Sequence, residues 1–341
     1  MKFGPVAVAE AKGAIVAHAI RRPGLVLKKG DIVRASDVAA LRTAGVETVI
    51  VARIEADDVG ENDAAAALAK AIGGANVRLD TAFTGRTNLF ATAAGILRVD
   101  TALVDAINGQ DEAITVATLP HMRAVVEGEM IATVKIIPFA VPRSALAAAV
   151  ALCTRPGLSI IPFKPLRVAV VSTLLPGLKP SVVDKTLRIL GERLAPARAT
   201  LVADERVEHS ASALAPVLQR LMREAHLTIV FGASAITDRR DVIPAAIEMA
   251  GGHVDHFGMP VDPGNLMLLG RSAEGAPVLG APGCARSPKE NGFDWVLQRL
   301  LAGLPVTGAD VKRMGVGGLL MEIVSRPQPR EGGETRGEDG D

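Results

Sequence analysis

At 341 residues the chain has room for two or three hydrophobic cores, at roughly 100–200 residues per domain, which excludes a disulfide-stapled miniprotein. Lys+Arg 38 against Asp+Glu 37 leave a formal net charge of +1, so no global field draws nucleic acid or an anionic membrane, and any polyanion must be held locally. With 3% aromatics, one Trp and no Tyr in a chain that is 49% hydrophobic, the cores are left to Ala, Val, Leu and Ile, with little material for base-stacking platforms.

The first twenty residues carry Glu10, Lys12 and His18 inside their apolar run, which does not read as a secretory signal, and no apolar stretch reaches the roughly 20 residues of a membrane span. Cys153 and Cys284 stand far apart with no CxxC spacing, which points away from zinc and toward a reducing compartment. A cytoplasmic protein with neither nucleic acid nor membrane as partner is expected.

Ser36 is positioned to cap a helix closing at Gly45, and the β-branched run Val46 to Ile54 predicts a strand. A helix follows from Gly60 to Ile72, stopped by Gly73 and Gly74. Residues 81–110 show apolar positions every three or four residues, which predicts two helices. Short β-branched runs between turns over residues 113–141 predict a small β-rich part. Residues 1–160 therefore read as a smaller mixed α/β region. The Pro- and Gly-containing stretch Thr154 to Pro165 reads as a linker.

Beyond it the pattern becomes regular. The runs LRVAVVST, ARATLVADE and LTIVFGAS alternate with helical segments ending near Leu194, Ala225 and Gly251. Such alternation predicts βαβ units on a parallel sheet. The tail 325–341 is charged and Gly-rich and is expected to be disordered.

Open parallel sheets take ligands beyond the carboxyl ends of their strands, and five loops there carry suitable residues. The first, Ser172 to Thr186, brings Ser181 and Asp184 to a helix start, where free N–H groups suit an anion but also call for a cap. The second brings Asp204 beside Glu205, a pair suited to Mg²⁺ or proton handling, or simply to a helix dipole. The third has the small-residue turn Gly232, Ala233, Ser234, followed by Asp238, Arg239, Arg240 and Asp241. A phosphate can approach such backbone closely and be neutralised by arginine. The last two carry Pro-Gly turns, Pro263-Gly264 and Pro282-Gly283, the latter leading to Ser287.

With those loops in view, residues 165–310 resemble the molybdopterin-binding domain shared by molybdopterin adenylyltransferases, molybdopterin molybdotransferases and gephyrin. RRDVIP is similar to the adenylyltransferase pattern, while VDPGN and APGCARS resemble the molybdotransferase elements KPGKP and LPGNPVS. GLVLKKGDIVRASDVAALRTAGVETVIV is similar to the leading domains of molybdotransferases. The resemblance implies a three-layer α/β/α domain and, as ligand, molybdopterin or its adenylylated form. It implies a role in molybdenum cofactor biosynthesis, carrying the pterin or assisting molybdate insertion as a transferase.

Carried onto this chain, it implies Asp204, Asp238 and Asp241 as catalytic carboxylates, with Asp241 as a Mg²⁺ ligand. Ser181, Asp184, Gly232, Ala233, Ser234, Arg239, Arg240, Pro263, Gly264, Pro282, Gly283 and Ser287 would hold the pterin and its phosphate. Three features depart from the family pattern. STLLP stands where molybdotransferases carry STGDE, the MDGYA-type segment is absent, and the Gly-Gly turn has become Gly-Ala. Two other readings stay open: a scaffold or regulatory protein that keeps the binding fold, and a Mg-ATP-dependent adenylyltransferase. A homodimer, and a molybdoenzyme or its maturation protein as partner, are implied by the resemblance alone.

Overall fold

Residues 1–320 are described by a computed structural model; the tail 325–341, expected to be disordered, lies outside them. The chain divides into two units, Met1–Pro162 and the chain from Phe163 on.

The first unit begins with β1 (Lys2–Ala7), β2 (Ile15–Val16), the hairpin β3 (Ile20–Arg22) and β4 (Leu25–Leu27), α1 (Ala35–Thr43) and β5 (Thr48–Arg53). β5 lies between β1 and β2 in an antiparallel sheet, over a core of Val8, Val16, Leu41, Val49 and Val51. Gly45, at φ +70°, closes α1 as expected. Its opening is different: the Arg34 N–H donates to Asp37 at 2.7 Å, and Ser36 lies inside the first turn rather than at the cap.

Then come β6 (Asp58–Gly60), α2 (Glu61–Ile72), β7 (Val77–Leu79), β8 (Arg86–Ala91), β9 (Gly95–Val99) and α3 (Thr101–Asn108). They are followed by β10 (Ile114–Thr118), β11 (Ala124–Val125), β12 (Met130–Ile136), β13 (Ala140–Pro142), α4 (Arg143–Leu152) and β14 (Leu158–Pro162). β8 and β9 replace the first of the two helices expected over 81–110. Thr87, Leu89 and Ala91 are buried while their neighbours are not, which is a period of two that Ala and Thr disguise as a helical one. The expected linker is likewise structured in part. β14 pairs antiparallel with β9, and a Cβ at Gly95 would sit 2.2 Å from Ile161 O, so this pairing needs glycine. α2 packs Leu68 and Ile72 into one core with Leu89, Leu97, Ile114 and Ile136.

The second unit carries β15 (Arg167–Leu174), α5 (Pro180–Leu194), β16 (Thr200–Glu208), α6 (Ala211–Glu224), β17 (Leu227–Phe231) and α7 (Val242–Met249). β18 (His253–Phe257), β19 (Leu268–Arg271), β20 (Pro277–Ala281), α8 (Gly292–Leu301) and α9 (Gly308–Lys312) complete it. They form a six-stranded sheet in the order β16-β15-β17-β20-β19-β18.

Alternate residues of β15 serve opposite faces. Val168 and Val170 join Leu190 and Leu194 of α5 and Phe293, Val296 and Leu297 of α8. Ala169 and Val171 join Leu214, Leu218 and Leu221 of α6 and Ile243 and Ile247 of α7. The unit is thus a three-layer α/β/α structure, and burial on both faces explains the continuous apolar run of β15. The sheet is mixed rather than all parallel, because β19 runs antiparallel to both β18 and β20.

Candidate functional site

Sheet direction fixes where the five loops fall. β15, β16, β17 and β20 are parallel, and two reversals bring β18 back to their direction. The segments after Leu174, Glu208, Phe231, Phe257 and Ala281 therefore all leave one edge of the sheet.

Several hydrogen bonds tie these segments together. Thr173 Oγ1 accepts from Ala233 N at 2.9 Å and lies 2.7 Å from His209 Nδ1. One hydroxyl thus links the ends of β15 and β16 to the small-residue turn. A Cβ at Gly232 would meet Ser234 O at 2.6 Å, so the tightness of that turn requires glycine. Gly264 has φ +140°, and a Cβ there would meet Gly292 N at 2.7 Å. That close approach lets Gly292 N donate to Pro263 O at 2.8 Å, seating the Pro263-Gly264 turn on the start of α8.

The Pro282-Gly283 loop is held from α5. The Arg193 guanidinium pairs with Asp294 and donates to Ala285 O at 2.9 Å and Ser287 O at 2.7 Å. Asp294 also accepts from Asn291 N at 2.9 Å, closing a capping box at α8. Arg286, in the same loop, donates to Gly232 O at 2.9 Å and to Thr186 Oγ1 at 3.1 Å, with its guanidinium 5.4 Å from the centroid of the Phe231 ring. Burial pulls the pKa of Arg286 down, with no carboxylate acting against that pull. Arg286, Arg193, Thr173 and His209 escape sequence reasoning, since their partners come from distant elements; an arginine inside a small-residue loop was the one available signal.

The acidic residues occupy different settings. Asp241 accepts from Val242 N at 2.7 Å and Thr237 N at 3.1 Å, which is the work of an N-cap on α7. Asp238 is held by Arg240 at 2.7 Å, and that guanidinium and the Arg240 N–H lower its pKa to about 2. Arg239 reaches Val254 O at 3.3 Å.

Asp204 lies within β16 rather than in a loop after it, because that strand runs on to Glu208. There Arg206 bridges Asp204 at 3.3 Å and Asp184 at 2.7 Å, while Glu205 pairs with Arg220. Ser181 is exposed in the first turn of α5. The structure thus joins the Gly232–Ser234 turn to the loop carrying Pro282, Gly283 and Ser287, and sets Asp184 and Asp204 together around Arg206. Among the described residues, no group of three or more His, Cys, Asp or Glu is arranged to hold a metal. With Asp241 spent on capping and Asp238 on Arg240, these carboxylates do not fit a Mg²⁺ centre. Among the same residues no helix is long and apolar enough to cross a membrane.

The profile of a domain of unknown function, DUF8806, matches residues 5–53. No curated protein sequence matches the chain. Among solved structures, a molybdopterin biosynthesis MoeA protein from Pyrococcus horikoshii is similar over 89% of this chain and 75% of its own, with 14% identity and a TM-score of 0.33. A molybdenum cofactor biosynthesis protein from Pyrococcus furiosus is similar over 89% of this chain and 66% of its own, with 13% identity and a TM-score of 0.26. A second MoeA structure, from Pyrococcus horikoshii OT3, is similar over 72% of this chain and 80% of its own, with 10% identity and a TM-score of 0.28.

Proposed function

We propose that the second unit binds molybdopterin at the carboxyl edge of its sheet and serves molybdenum cofactor biosynthesis as a pterin carrier, with molybdate insertion as the reaction it assists. The observation that carries this reading is the convergence of five loops on one sheet edge. Two of them, at Gly232 and Gly264, have backbone packed too closely to admit a side chain. Backbone N–H groups exposed by such turns hold phosphates without a dedicated sequence signature. The family resemblance of VDPGN, APGCARS and RRDVIP supplies the identity of the ligand.

A carrier is favoured over a Mg-ATP-dependent adenylyltransferase because Asp238 and Asp241 are already engaged within the protein. The test is an equilibrium titration of the full chain with molybdopterin and with its adenylylated form, followed by incubation with molybdate and assay for active cofactor. Saturable binding of either pterin is expected, and Gly232→Ala, which forces the turn apart, should weaken it at least about tenfold. Absence of binding to both pterins, alongside a stable complex with a molybdoenzyme, would replace this reading by that of a scaffold.

A further inference from the structure

The sheet that opens the first unit has one face on its core and a second face that is just as apolar. Val6, Val16, Val49 and Val51 point inward to the core they share with Leu41 of α1. Their neighbours along each strand point the other way, and the strand register collects them. Phe3 lies opposite Ala52, Ala52 opposite Ile15, and Ile15 is bridged to Ile32, while Pro5 lies opposite Ile50. None of these six side chains carries a charge or a hydrogen-bonding group. A sheet with one face in water normally alternates apolar-in with polar-out, yet here Phe3 is 59%, Ile32 61% and Ile50 40% exposed. A contiguous exposed apolar face of this kind marks an interaction site.

The two margins of this face differ in charge. Residues 13–16 and 30–33 run antiparallel, with Gly13 N donating to Val33 O at 2.9 Å and Gly30 N to Val16 O at 2.8 Å. The ends of these two segments therefore set Lys12, Lys28, Lys29 and Arg34, all exposed, along the margin of Ile32. Among the described residues none of the four forms an ion pair; Asp31 and Asp37 accept instead from the backbone N–H groups of Lys28 and Arg34, at 2.6 and 2.7 Å. The opposite margin, beside Phe3, is neutralised by the pairing of Lys2 with Glu55 at 2.8 Å. Size narrows the occupant further. Three strands and the segment 31–33, at about 4.8 Å spacing and about 3.3 Å per residue, make a face of roughly 15 by 20 Å. One helix about 10 Å across and three to four turns long covers that, whereas a stable pair of copies needs about 800 Å² from each partner.

We infer that this face docks an amphipathic helix of another protein. Its apolar stripe lies on Phe3, Ile32 and Ile50, and a row of Asp or Glu along one side of the stripe meets Lys12, Lys28, Lys29 and Arg34. A lipid surface would bring anionic headgroups to the whole rim, including Glu47 and Glu55 at the two ends of β5, and positive charge on one margin alone does not suit it. The inference concerns the first unit and is independent of the pterin reading, so either can fail without the other.

The experiment titrates the full chain into two labelled synthetic helices and reads fluorescence anisotropy. Both helices carry the same Leu stripe, flanked along one side by Glu in the first and by Lys in the second. The Glu-flanked helix is expected to bind at least about tenfold more tightly at low salt, a preference that shrinks as added salt screens the margin. Ile50→Ser and Ile32→Ser should each weaken it about tenfold and Lys29→Glu several-fold. Leu201→Ser, at an exposed apolar position of the second unit, should leave it unchanged. Ile32 and Lys29 are exposed, so their variants carry the test if Ile50→Ser misfolds. Binding of neither helix, equal binding of both, or binding indifferent to these substitutions would overturn the inference. So would tighter binding to vesicles of phosphatidylserine and phosphatidylcholine in equal parts than to the Glu-flanked helix, which would make the face a lipid anchor. A concentration-dependent dimer in sedimentation that Ile50→Ser dissolves would overturn it as well, since the face would then lie between two copies of the chain.

Discussion

Asp294 shows how much one side chain can organise at this edge. It neutralises Arg193 and closes the capping box of α8, and both partners are nearly buried, at 9% and 11% exposure. Leaving Arg193 buried without its counter-charge should cost about 3–5 kcal/mol, so Asp294→Ala is expected to lower unfolding stability by that amount in urea denaturation. Asp241 does a smaller, local job. As the N-cap of α7, its replacement by Ala should cost about 1 kcal/mol and leave any metal response of the protein unchanged, which thermal melts with and without Mg²⁺ would check.

Asp238 is exposed, yet its pairing with Arg240 lowers its pKa from the ordinary 3.8 to about 2. A depressed carboxylate pKa means the pairing is complete above pH 3.8 and is lost as pH falls through about 2. Titration of the Asp238 carboxyl carbon by NMR should give a midpoint near 2; a midpoint near 3.8 would mean that the pair does not form. Asp241 was expected as a Mg²⁺ ligand, although an acidic residue ahead of an apolar helical stretch also suits the cap that it forms. The roles of Arg193 and Arg286 were not legible, because their partners lie about a hundred residues away in sequence, and no local pattern encodes that meeting.

Among elements, the start of α8 is the joint on which two Pro-Gly turns depend. Gly264→Ala puts a Cβ against Gly292 N and asks a side-chain-bearing residue to hold φ +140°. A cost of about 1–3 kcal/mol is expected, with faster amide exchange at 282–292. Unchanged stability and exchange would show that the turn is not seated on the helix. The βαβ rhythm of β15 through α7 was readable because fully buried strands are continuous apolar runs and their helices are amphipathic. β8 and β9 were misread as helix. Their buried positions include Thr87, Ala91 and Gly95, small or polar residues that blur a period of two. The direction of β19 was not legible either, since an apolar strand reads alike whichever way it pairs.

For the molecule as a whole, two units with separate cores are built almost entirely from aliphatic side chains, as the composition requires. For the loops after β15, β16 and β17 the carboxyl edge could be located from the order of strands and helices alone, because parallel connections force successive loops to the same side; the loop after β20 reaches it through the antiparallel pairings of β19. What the sequence left open was how those loops are locked, which depends on Thr173, Arg193 and Arg286. The locked edge, and not the first unit, is proposed to receive the pterin. Amide hydrogen exchange of the full chain with and without molybdopterin tests this most directly. Slowed exchange is expected at 232–241, 258–267 and 282–291, with residues 1–162 unchanged; protection confined to the first unit, or none at any of the three loops, would contradict it.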